Sequence, residues 1–301
     1  MILEELIYKQ FTDSKALTNM LAKFAGYPAV FSQTAPEANQ AGWQGKSQYP
    51  RLTYSYNLQT NEERNSIGIL SVFVECQNTE NANEITPEQI EPVVKECLKD
   101  VLLKPTDNSV YAFSWARSDK FELEELNKQN NLVNGIEIVF DILEYTSQET
   151  TNPDPIIATG RYIKEMYPEC VVLGIDNIES ITKATVENPI IYCRLENLEL
   201  KEQTNTVVWL DSKIAIHFLC PDSSIRLKMI TDIMHRLGQD GEVILLDKSP
   251  MFIKQLQMSN KADYLRDGQL MIIGRYGLLR YSMKPCVLKN INLNRGEPLW
   301  Q

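Results

Sequence analysis

GILSVFVEC (residues 68–76) and SKIAIHFLC (residues 212–220) carry the same two-residue alternation. Gly68, Leu70, Val72, Val74 and Cys76 fall on one side in the first stretch, and Ser212, Ile214, Ile216, Phe218 and Cys220 in the second. In a strand this period sends successive side chains to opposite faces, so matched parity predicts matched burial. Each stretch then runs through a polar turn into an amphipathic helical pattern. The chain reads as one unit written twice.

Outward from the first stretch, Pro50 opens a strand in which Leu52, Tyr54, Tyr56 and Leu58 alternate with polar residues. The polar residues 59–65 join it to the central strand as an antiparallel hairpin. Upstream, Thr12, Asp13 and Ser14 offer N-cap side chains for a predicted helix over 14–25 that Gly26 closes, followed by a short strand at 29–31. The polar loop 32–48 is long enough to carry a binding or packing role. Downstream, Thr86, Pro87 and Gln89 form a helix start, and Ile90, Val93, Val94, Cys97, Leu98 and Val101 a stripe. Strands are predicted at 110–115 and 135–145, with an acidic stretch at 121–129 between them.

The second stretch has the same surroundings. Ile157, Ile163 and Tyr167 mark a helix shorter than the one at Ser14, and a short strand follows at 170–173. Pro189 matches Pro50 as strand opener, with Ile191, Cys193 and Leu195 alternating. Asp222 caps a helix bearing Ile225, Met229, Ile233 and Leu237, and Gly238 supplies its stop. Residues 243–246 correspond to the strand at 110, and 270–279 to the strand at 136–143. Each half reads helix, short strand, two long antiparallel strands, helix, two strands. That is an α+β arrangement of two tandem units, each a mostly antiparallel sheet packed with helices. The linker TSQETTNPDP (residues 146–155) places the boundary, giving units 1–148 and 149–301.

Composition narrows the function classes. The chain has 301 residues and a formal charge of −10, and no basic stripe, which argues against wrapping nucleic acid. No apolar run approaches the roughly 20 residues that span a bilayer. Glu4 and Glu5 stand where a secretory signal would carry Lys or Arg, so a cytosolic place of synthesis and use is expected.

No grouping of residues reads as a catalytic, cofactor or metal site. Cys76, Cys97, Cys170, Cys193, Cys220 and Cys286 form no CxxC pair and sit mostly among apolar residues, as structural thiols do. His217 lies opposite the apolar row of its strand, where the first copy has Phe73, and His235 lies in the following helix. Neither has a partner at useful spacing. Gly274 and Gly277 in GRYG lie inside an apolar strand and lack the Lys-Ser or Lys-Thr of a phosphate loop, so a bulge or close packing accounts for them. Glu122, Glu124 and Glu125 read as a solvated acidic face. The chain is expected to be no enzyme and to need no cofactor.

The stretch VFSQTAPEANQAGWQGKSQYPRLTYSYNLQTNEERNSIGILSVFVEC (residues 30–76) resembles tail terminator and tail-completion proteins of tailed bacteriophages and prophages. The shared features are an AP after a short strand, a glycine-containing loop with Trp43, the YPRLTY strand, an N-x-x-x-x-R hairpin and the long alternating strand. Members of that family form rings that cap the tail tube, face the neck and have no active site. The resemblance covers most of the first half, and the second half matches in element order alone. It implies tail-tube and neck or head-completion proteins as partners, and work in the host bacterial cytoplasm and then the virion tail. It further implies a sixfold ring with an acidic lumen, of six chains in two tiers or of three, from a protein that is monomeric or weakly associated until it meets the tube. Two other readings stay open: a baseplate or contractile-particle adaptor, and a host ligand-binding protein or enzyme of two α+β units.

Overall fold

The computed structural model describes residues 1–44, 48–77, 85–106, 109–125, 131–146 and 152–280. Helices α1 (Leu3–Thr12) and α2 (Lys15–Thr18) open the chain, followed by β1 (Lys23–Phe24), β2 (Tyr27–Pro28), β3 (Val30–Ser32) and β4 (Trp43–Gln44). Then come β5 (Arg51–Asn61), β6 (Ser66–Gln77), α3 (Pro87–Leu98), β7 (Val101–Leu103), β8 (Val110–Glu125) and β9 (Asn131–Tyr145). The second half has α4 (Pro155–Met166), β10 (Val171–Val172), β11 (Ile181–Lys183), β12 (Ile190–Gln203) and β13 (Val207–Leu219). It ends with α5 (Ser223–Asp240), β14 (Glu242–Ile244), β15 (Pro250–Met258) and β16 (Leu270–Leu279).

The fold is α+β, with two large mixed sheets. One has the order β11-β7-β8-β9-β6-β5-β3 and the other β10-β12-β13-β16-β15-β14. Without β11 the two orders are the same, strand for strand. In both, the short strand pairs in parallel with the first long strand, and every other pair within the shared order is antiparallel. Registers agree as well: Leu52 pairs with Val74, and Ile191 with Phe218. Two residues further on stand Cys76 and Cys220, both buried.

Burial follows the period-two pattern. In β6 every even residue from Ser66 to Cys76 is buried and every odd one half-exposed. Leu70, Val72 and Val74 meet Leu6, Phe11, Ile90 and Val94 of the helices in one core. Ile214, Ile216 and Phe218 meet Ile163, Ile230, Ile233 and Leu237 in a second. Residues of the opposite parity form a third cluster that joins the halves: Leu102, Ala112, Leu143 and Tyr145 from one sheet, Ile190, Tyr192 and Leu219 from the other. Over this contact the layers are helices, sheet, sheet, helices.

Several local expectations change. The helix predicted over 14–25 is the single turn α2, capped by Ser14, because Ala25 and Gly26 take positive φ and turn β1 into β2. The longer helix is α1, whose Leu3, Leu6, Ile7 and Phe11 are buried, and its counterpart α4 has 12 residues and Asp154 as N-cap. Gly238 lies within α5, and the helix ends at Gly241, where φ is +70°. Val101 belongs to β7 instead of the helical stripe. The strand at 110–115 extends to Glu125 through the stretch read as acidic. Its counterpart is β15, and β14 is the counterpart of β7, so each half holds three strands after its second long helix. Within the linker, residues 147–151 lie outside the described residues. Strand β11, placed beyond that linker, adds to β7 of the first sheet.

Gly68 pairs with Leu58 and Ile142 near the tip of the first hairpin, and a Cβ there would lie 2.3 Å from the Asn57 carbonyl oxygen. Backbone cannot yield as a flexible side chain does. Gly68→Ala is expected to spread β5 from β6 and to lower unfolding free energy by about 1–3 kcal/mol in urea titration. A change below about 0.5 kcal/mol would show that the hairpin tolerates a wider spacing.

Candidate functional site

Side chains with chemical potential are spread through the fold. The five described cysteines are buried free thiols. Burial pushes Cys76, Cys170 and Cys193 up to about 12, the state of an inert thiol. Cys286 lies outside the described residues. His235 is exposed on α5. Glu122 is exposed on β8, and the side chains of Glu124 and Glu125 lie outside the described residues. Gly274 and Gly277 are packing positions: a Cβ would meet Met251 Sδ at 2.6 Å in one case and Val207 Cγ1 at 2.9 Å in the other. No group of three or more His, Cys, Asp or Glu suited to a metal occurs among the described residues.

His217 is the exception in its surroundings. It pairs across the strands with Tyr192, and the two rings lie 5.5 Å apart, with Tyr145 of the first half 5.7 Å from the imidazole. Tyr145 and Tyr192 stack at 4.7 Å. His217 Nδ1 lies 2.9 Å from the Tyr264 carbonyl oxygen, which fixes the neutral ring with its proton on Nδ1. Nε2 is buried without a protein partner. Burial, and then the Arg194 guanidinium, lower its pKa to about 4. An imidazole with those neighbours packs the junction.

The polar residues that converge do so at this junction. The loop between β15 and β16 brings Tyr264 and Arg266 onto the first sheet. Tyr264 donates its hydroxyl to Asp100 Oδ1 at 2.6 Å, and the Arg226 guanidinium lies 4.5 Å over its ring. Arg266 binds Asp141 Oδ2, donates to the Arg64 carbonyl oxygen at 2.9 Å and reaches Ser114 Oγ at 3.4 Å. Arg64 takes the other Asp141 oxygen at 3.2 Å. A cleft of about 280 Å³ opens beside them, lined by Lys95, Lys99, Asp100, Ser114, Trp115 and Tyr264 among others. Lys95 there is held by Glu91 and by the Trp115 ring at 3.8 Å. The sequence reading missed this cluster, although one signal was present: Asp141 interrupts the apolar run IVFDIL (residues 138–143).

Beyond the junction the sheets run on as uncovered edges. The outer half of β12, residues 195–203, is exposed on both faces. Leu195, Leu198 and Leu200 pair with Ile214, Ser212 and Leu210, one face of β13. Their spacing would put them on opposite faces, but a bulge between Leu195 and Asn197 restores the parity. The equivalent outer part of β5, residues 57–60, is likewise exposed, with Leu58 43% accessible. Such edges offer unpaired backbone groups, and Glu196, Glu199, Lys201 and Glu202 guard the longer one. Among the described residues no helix is long and apolar enough to cross a membrane. No protein-family model and no curated protein matches the chain.

Proposed function

We propose that the protein is a structural assembly subunit of a tailed phage or prophage, a tandemly duplicated relative of tail terminators that caps the tail tube and joins it to the neck. The observation that carries this reading is the manner in which the two like sheets meet. The first half uses the side of its sheet formed by β7, β8 and β9, and the second half uses β12 and β13, the counterparts of β5 and β6. Different surfaces of equivalent units meet head to tail. A contact of that kind closes into a ring when its rotation divides a full turn. Scattered, inert thiols and a packed histidine support a structural role over an enzymatic one. The net charge of −10 suits a lumen through which DNA slides without binding.

Three chains supplying six units, or six chains in two tiers, would match a sixfold tube. Purified protein mixed with assembled tail tubes should give cross-linked species of three or six chains and a cap at one tube end by negative-stain imaging. A chain that stays monomeric on tubes, or whose loss leaves tail length and head joining unchanged, overturns the proposal.

A further inference from the structure

The contact inside the chain leaves its two complementary surfaces unused, one at each end. Strand register identifies them. Ala112, in the joining cluster, pairs with Leu102 and Leu143, and at the same place in the second sheet Phe252 pairs with Glu242 and Arg275. Tyr192 pairs with His217 on the other side of the contact, and at that place in the first sheet Thr53 pairs with Phe73. Ala112, Tyr192 and His217 are buried between the halves. Phe252 is 40% exposed; Phe73 is half-exposed with its ring 6.2 Å from that of Phe121, and Thr53 beside it is 8% exposed, so the accessible part of that face is the Phe73 ring.

We infer that a second copy of this chain docks there, with the Phe252 face of one copy on the Phe73 face of the next. The inference deepens the ring reading and rests on it for its place in an assembly. It repeats the head-to-tail contact already made within the chain, and the chemistry is graded accordingly. Where the inner contact pairs Ile190 with Leu219, the open face pairs Arg51 with Glu75 in an ion pair. Where it has Leu143, the other open face has Arg275, bound to Asp211 by two hydrogen bonds. Charges already satisfied by partners in the free chain, with Arg51 16% and Glu75 13% exposed and Arg275 31%, cost little further desolvation when a partner closes over them, and leave a polar rim around the aromatic centre. The apolar inner contact is permanent and the open one conditional, which fits a subunit that must not close a ring before reaching its tube.

The sheet edges agree. β11, supplied by the second half, covers the outer edge of β7, whereas β14 is the last strand of its sheet, with Ile244 54% exposed. The segment of the first half that occupies the chain position of β11, between its short strand and first long strand, is the loop following β3. Its described residues 33–41 are mostly exposed, and a docked copy would bring it to β14.

A benzophenone amino acid in place of Phe252, in a mixture of isotopically light and heavy chains at high concentration, tests this directly. The expected adducts join light to heavy chains and map to residues 51–75 of the acceptor. Phe252→Asp and, separately, Phe73→Asp should each weaken self-association about tenfold in sedimentation velocity, with unfolding midpoints monitored to show that the fold persists. Adducts mapping elsewhere, or none between chains, overturn the inference. Adducts at 51–75 from a protein that ignores tail tubes would sustain it while removing the tail reading.

Discussion

Asp141→Ala is expected to cost about 3 kcal/mol of unfolding free energy, the low end of what removing one partner of a buried ion pair costs. Asp141 sits in the middle of β9, on the face away from the first core, and its side chain is 2% exposed. Its two oxygens serve different arginines: Arg266, 20% exposed and carried by the loop of the second half, and Arg64, 38% exposed at the tip of the first hairpin. Without the carboxylate, two guanidinium groups face each other across the junction; Arg266 keeps Asp263 at 3.2 Å, but it is the less exposed of the two and loses its buried partner. Arg64 can turn outward, which is why the lower figure is chosen. Arg266→Ala should cost less, since Asp141 keeps Arg64, and the double variant should be milder than the sum because the residues act as one group. Urea titrations of the four proteins give the coupling. A loss below about 1 kcal/mol for Asp141→Ala would mean the arginines are hydrated in the folded state and the latch holds little.

How far the sequence announced this molecule depends on the range of the interactions concerned. Alternation in GILSVFVEC and SKIAIHFLC is a local property of strands, and it correctly paired the central strands, their hairpin partners and the residues facing each core. Thr86, Pro87 and Gln89 likewise announce α3 through backbone chemistry confined to one turn. Strand β15 escaped because its residues PMFIKQLQM (250–258) alternate only on one side of a bulge, between Ile253 and Gln255, so no single period runs through it. β11 escaped for a different reason: three residues, Ile181–Lys183, are a strand only because the β7 edge lies beside them. The junction was illegible in the same way. Asp100 and Tyr264 are 164 positions apart, and nothing near either residue indicates the other. Asp141, flanked on both sides by apolar residues in IVFDIL, was the readable trace of a buried partner.

The junction should also carry a pH dependence of its own, through His217. In the folded chain this imidazole is held neutral down to about pH 4, first by burial and then by the Arg194 charge, with the Tyr264 carbonyl, Glu196 and Asp267 pulling weakly the other way. In the unfolded chain it protonates near pH 6.5. Between those values the unfolded state binds a proton that the folded state excludes. Stability therefore falls as the pH drops through the window, by about 1.4 kcal/mol per unit and about 3 kcal/mol over the whole of it. Above pH 6.5 neither state holds the proton and the group contributes no slope. Phe73 occupies the equivalent place in the first sheet, so His217→Phe is the natural control. It loses the hydrogen bond to the Tyr264 carbonyl, about 1 kcal/mol, and it abolishes the titration. Carboxylates destabilise both proteins alike in acid, so the difference between them isolates the histidine. The variant should be the less stable protein at neutral pH and the more stable one near pH 4.5, the curves crossing between. Parallel curves would mean that His217 takes up its proton in the folded state as it does in water, and that the faces of Tyr145 and Tyr192 are not closed over it.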